Sequence, residues 1–140
     1  MTTRLVLPAM LLALASTPAL ASPASQAQAH FRAIAAGRVH HIMQQYADGA
    51  TFQWIGGPLN GFYSGRDSID QVWRKFSKAV APDGYRAWNV STAVNPDGTT
   101  VTADVEFKGR KNIKVRYVLV YRANKLVNEI WQIDPGLKVG

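Results

Sequence analysis

Apolar residues recur at steps of three and four from Phe31 to Tyr46, through Ile34, Ala35, Val39, Ile42 and Met43. This is the spacing of a helix with one buried stripe. Gly37 falls inside the stripe and predicts a division into two helices. The period then drops to two: residues 50–55 read as a strand, Gly56-Gly57-Pro58 as a turn and residues 59–63 as a short returning strand. Helical spacing returns after Ser64-Gly65, where Ile69, Val72, Trp73 and Phe76 form a second stripe. Ser64 and Asp67, three residues apart, fit a capping pattern, and Ala81-Pro82-Asp83-Gly84 ends the helix.

Beyond Gly84 the alternation is that of strands, over residues 85–94, 99–108, 113–122 and 126–134. Asn95-Pro96-Asp97-Gly98, Gly109-Arg110-Lys111 and Ala123-Asn124 supply the turns between them. Helices followed by an antiparallel meander make an α+β fold. Val101, Ala103, Val105 and Phe107 share one face of their strand, and Thr100, Thr102, Asp104 and Glu106 share the other. Such a sheet keeps its apolar face on the helices and leaves the second for water or a partner.

The amino-terminal residues follow a different logic. Arg4 precedes an apolar run over residues 5–15, broken only by Pro8, and Ala19-Leu20-Ala21 offers small residues where a signal peptidase reads. A membrane span needs about 20 apolar residues, and Ser16, Thr17 and Pro18 interrupt this run too early. Residues 1–21 are therefore expected to be a cleaved secretory signal, residues 22–28 a flexible leader and residues 29–140 the domain, released to the periplasm or medium without a stable membrane anchor. The chain has no cysteine, so no disulfide or thiolate chemistry is expected. Loss of Arg4 takes the formal charge from +7 to +6. The excess gathers in Lys108, Arg110, Lys111, Lys114 and Arg116, either a solvated hairpin face or a contact for an anionic envelope surface. No aromatic residue is interleaved before Tyr117, and a nucleic-acid partner is not expected.

Ala36-Gly37, Tyr46-Ala47-Asp48-Gly49-Ala50-Thr51, Gly65-Arg66-Asp67-Ser68-Ile69, Glu106-Phe107-Lys108-Gly109-Arg110-Lys111 and Lys125-Leu126-Val127-Asn128-Glu129-Ile130-Trp131 occur in an order that carries a resemblance. It covers nearly the whole chain after residue 21. The sequence resembles the nuclear transport factor 2-like superfamily, with its SnoaL-like members and ketosteroid isomerases. The resemblance implies a cystatin-like cone, a curved and mostly antiparallel sheet wrapped on a long helix around an apolar pocket. It also implies a homodimer made through the sheet, and a structural role for Asp48 at the helix-to-strand turn.

The same resemblance argues against ketosteroid isomerisation. Where those enzymes hold a carboxylate base at the end of the first strand, this chain has Trp54; where they hold an oxyanion-binding tyrosine, it has His30. Their protonated aspartic acid matches Val118. An indole N–H donates a proton but does not accept one, and abstraction next to a carbonyl requires a base.

The remaining polar candidates are Glu129 and His30. Glu129 lies on the pocket-facing parity of the last strand, as an acid or base or as the partner of a cation such as Arg116. His30 is either a second proton-transfer group or an exposed histidine at a frayed terminus. No spacing suits a metal, and no cofactor is expected. Trp54, Tyr63, Trp73, Val105, Phe107, Val118 and Trp131 are expected to line the cone, as a core or as the wall of a site for a small apolar molecule. Two classes follow: a ligand-binding module, or an isomerase, cyclase or dehydratase using Glu129.

Overall fold

The computed structural model describes residues 13–15 and 21–140. Two short helices, α1 (Pro23–Ala35) and α2 (Val39–Gln44), lead into β1 (Tyr46–Ile55) and β2 (Gly61–Ser64); α3 (Arg66–Val80) follows, then the meander β3 (Tyr85–Asn95), β4 (Gly98–Phe107), β5 (Ile113–Arg122) and β6 (Lys125–Ile133). The six strands form one sheet in the order β2-β1-β6-β5-β4-β3. All neighbours are antiparallel except β1 and β6. The helices cover one face of this sheet, and the core lies between.

The division at Gly37 is present: its φ of +65° is one that L side chains rarely adopt, and it turns the chain from α1 into α2. Three expectations are corrected. Residues 22–28 are not a leader but the cap and first turns of α1, with the Ser22 hydroxyl accepting from the Ser25 amide at 3.2 Å and Pro23 placed where its missing N–H costs nothing. The first strand starts at Tyr46 rather than residue 50, because an irregularity between Tyr46 and Thr51 lets it keep pairing with β6. The Ser64–Asp67 cap is absent: Gly65 occupies the N-cap position of α3 with no side-chain bond, and the Ser68 hydroxyl donates back to the carbonyls of Ser64 and Gly65. The proposed signal lies mostly outside the described residues.

Asp48, expected to hold the corner between α2 and β1, is exposed. The corner is fastened instead by Arg66, whose guanidinium donates to the carbonyls of Met43 at 3.0 Å and Tyr46 at 2.7 Å. Further register shifts between Trp88 and Ser91 in β3 and beside Val120 and Tyr121 in the β5–β6 pair add local bends, which curve the sheet around the helices. Ala123 and Asn124 both take positive φ, as a tight two-residue hairpin demands.

The turn between β4 and β5 is seated on the end of α3. The Arg110 amide donates to the Val80 carbonyl at 2.8 Å, and a Cβ on Gly109 would meet that same oxygen at 2.5 Å. Gly109→Ala must therefore push the turn off the helix. A loss of about 2 kcal/mol in folding free energy is expected, the scale of overpacking at a close approach. Urea unfolding at unchanged m-value measures it.

Candidate functional site

The interior of the cone has an aromatic part and a polar part. The parity of β1, β4, β5 and β6 sends Phe52, Trp54, Val105, Phe107, Tyr117, Glu129 and Trp131 inward, while the apolar stripe of α3 contributes Trp73 and Phe76. Trp54 and Trp131 stack with centroids 4.7 Å apart, and Phe107 stacks on the other side of Trp131 at 5.0 Å. Trp73 meets Trp131 edge-on at 5.4 Å and lies on Phe52 at 5.3 Å. All of these rings are buried. The indole nitrogens of Trp54 and Trp131 are likewise buried, yet neither has a hydrogen-bond partner.

The polar part is built around Glu129, which is wholly buried. Its Oε2 accepts from the Tyr46 hydroxyl, and its Oε1 accepts from the Tyr117 hydroxyl and faces His30 Nε2 at 3.3 Å. Trp73 Nε1 in turn donates to the Tyr46 oxygen at 2.8 Å. His30 is also fully buried, ringed edge-on by Tyr46, Trp73 and Tyr117, and its Nδ1 has no partner. A carboxylate stripped of water costs several kcal/mol unless donors replace the lost solvent. Here two phenols and an imidazole do so. The protein's own donors thus take up much of the accepting capacity of Glu129, and a substrate would have to displace one of them to reach it.

The sequence-predicted residues separate accordingly. Trp54, Trp73, Phe107 and Trp131 come together, with Val105 in the same core. Tyr63 is half-buried at the sheet edge, 6.2 Å from Phe52, with its hydroxyl donating to the Leu59 carbonyl at 2.6 Å. Val118 is not a lining residue: it sits on the outer face, paired with Thr102 and Ile130, and the inward position beside it belongs to Tyr117. That face of the cone therefore carries a hydroxyl rather than an isopropyl group. Arg116 does not pair with Glu129 either; it points outward to Asp134 at 2.7 Å and Asp104 at 3.8 Å. His30 is neither frayed nor exposed. Tyr46 and Tyr117 were not singled out from the sequence. The alternation of Val115, Tyr117, Leu119 and Tyr121 was the available signal for the second, whereas Tyr46 continues a helical stripe and gives no sign that it opens a strand.

The residues matched by a SnoaL-like domain model are 27–126, most of the chain. The chain belongs to the SnoaL-like domain family. No curated protein matches it. Solved structures share the fold at low identity. A protein of unknown function with a cystatin-like fold from Nostoc punctiforme superposes with a TM-score of 0.65 at 17% identity, over 80% of this chain and 88% of its own. A candidate polyketide cyclase from Sinorhizobium meliloti gives 0.54 at 17%, over 76% and 93%. A hypothetical protein with a ketosteroid isomerase-like fold from Catenulispora acidiphila, solved with trimethylamine, gives 0.57 at 13%, over 79% and 85%. Together they place this SnoaL-like chain in the nuclear transport factor 2-like, cystatin-like fold.

Two clefts, of about 670 and 320 Å³, open on the surface of this SnoaL-like domain, over α1 and α2 and between α2 and α3; neither is lined by Glu129 or the tryptophans. No cluster of three or more metal-ligating side chains occurs among the described residues. No helix among them is long and apolar enough to cross a membrane.

Burial pushes the Tyr46 phenol well above its ordinary value, and the negative charge of Glu129 pushes it further. Burial raises Tyr121 as well. In the unfolded chain both return to about 10. Above that pH the unfolded state releases protons that the folded state retains, so these two residues leave stability unchanged below about pH 10 and lower it as pH rises beyond. Alkaline titration followed by phenolate absorbance and near-ultraviolet circular dichroism should show Tyr46 and Tyr121 ionising only as the fold is lost. Ionisation of all five tyrosines ahead of unfolding would contradict the burial of this site.

Proposed function

We propose that this SnoaL-like protein is an envelope or secreted module that holds a small apolar or aromatic molecule bearing a hydrogen-bond acceptor. The observation that carries the reading is the pair of buried, unpartnered indole N–H groups on Trp54 and Trp131. Each such donor costs about 1–3 kcal/mol while it lacks an acceptor. A carbonyl or ether oxygen on a flat apolar body would satisfy them and stack on the same rings. Entry requires Trp54 to swing aside, since the rings fill the space between them. Trp54 is the penultimate residue of β1, just ahead of the positive-φ glycines Gly56 and Gly57.

A second reading is favoured by the burial of His30 and Glu129 as a pair: a cyclase, isomerase or dehydratase in which they exchange a proton with substrate. It is ranked second because Tyr46 and Tyr117 already occupy the carboxyl oxygens. A homodimer through the outer sheet face belongs to the same proposal. Val118, Val120 and Ile130 place apolar, half-buried side chains on that face.

Acetophenone and ethylbenzene have nearly the same shape and differ in one acceptor. Trp54→Phe should weaken acetophenone binding by about five- to tenfold, one hydrogen bond's worth, and leave ethylbenzene unchanged when both are followed by tryptophan fluorescence. Equal effects on the two, or no binding to either variant, would remove the ligand assignment. Glu129→Gln should spare binding; if turnover of any ketone is found and vanishes in this variant, the second reading replaces the first. Val118→Glu should convert a sedimenting dimer to a monomer with no loss of helical signal.

A further inference from the structure

The seating of the β4–β5 turn on α3 gathers cations from two distant parts of the chain. Arg110 is tied to Val80 through its amide, and the Lys108 amide donates to the Gly84 carbonyl at 2.9 Å. On the exposed side of the same helix end, Lys75 and Lys78 are three residues apart and so lie on one face. Lys75, Lys78, Lys108, Arg110 and Lys111 are all exposed, and among the described residues none of them forms an ion pair. Other cations of this protein do have acids: Arg74 is matched by Asp70, and Arg116 by Asp104 and Asp134. Asp83, whose amide donates to the Lys108 carbonyl, and Glu106, two residues before Lys108, are the acids close by, so five positive charges outnumber two negative ones at this end of the molecule.

Like charges brought together without partners repel one another, and their energy falls when an anionic surface supplies the missing counter-charge. The chemistry of that surface is narrowed by what surrounds the cations. The turn and the helix end carry no exposed aromatic ring on which a base would stack. They lie on an exposed turn and an exposed helix end. A planar array of phosphate headgroups fits such a surface. We propose that this end of the protein docks on membranes rich in anionic phospholipid, held by charge alone and without inserting.

The full chain, mixed with vesicles of equal parts phosphatidylglycerol and phosphatidylcholine and with vesicles of phosphatidylcholine only, tests this by co-sedimentation. The apolar residues 5–15 act on both vesicles, so the difference between them is the quantity read. Binding to the anionic vesicles should exceed binding to the neutral ones and disappear in about 1 M salt, where screening acts over roughly 3 Å. Lys108→Gln/Arg110→Gln/Lys111→Gln should lower the anionic partition by about fivefold per cation, on the order of a hundredfold in all. Arg122→Gln/Lys125→Gln/Lys138→Gln removes the same net charge, two of the three cations coming from the hairpin at the opposite end of β5 and β6, and should leave most of it. Equal losses in the two triple variants would overturn the proposal, as would indifference to lipid charge or a stronger preference for duplex DNA at the same salt that depends on Lys108, Arg110 and Lys111. Single variants at Lys108 and Lys111, each expected to lose about fivefold, decide the matter in the same way should the triple variant fold poorly.

Discussion

A carboxyl group held away from water at the centre of an apolar cone is the constraint to which the other parts are fitted. Glu129 comes from β6, Tyr46 from the start of β1, Tyr117 from β5 and His30 from α1, with Trp73 of α3 supporting Tyr46 from behind. Four elements thus meet at one side chain, and a fifth braces one of its donors. Because an unpaired buried charge is far more costly than a missing apolar contact, the register of each element is fixed by the need to bring its donor to that carboxyl. A slip of one residue in β5 would replace Tyr117 with Val118 and leave Oε1 short of a donor.

That arrangement also shapes what the interior can do. Donors are abundant around Glu129 and are used there, whereas the indoles of Trp54 and Trp131 in the ring stack are donors with nothing to bind. The imbalance lies on the aromatic side. Relatives with the same cone carry different chemistry because the sheet and helices set only the shape, and the side chains at a few inward positions set the reaction.

The outside of the protein is organised by packing constraints of its own. Gly109 allows the β4–β5 turn to touch the carbonyl that ends α3, and this contact concentrates five unmatched cations at one end of the molecule. On the outer sheet face, by contrast, Arg116 is balanced between Asp104 and Asp134 on neighbouring strands. Charge is thus left uncompensated in one region and neutralised in the other.

The periodicity of the chain alone was enough to determine the helices, the four-stranded meander, the break at Gly37 and the inward parity of Val101 to Phe107, because each rests on spacing between near neighbours. The family resemblance, rather than spacing alone, turned Trp54, Trp73, Phe107 and Trp131 toward the cone. Tertiary structure decided what local spacing does not encode. The irregularity in β1 turned Tyr46 from the end of a helical stripe into a strand residue, the α1 N-terminus became an ordered helix instead of a leader, and Arg66 took the corner assigned to Asp48. The partners of Glu129 lie 12, 83 and 99 residues away along the chain. A buried carboxyl chooses its donors by proximity after the sheet has curved, and that curvature is a property of the whole fold.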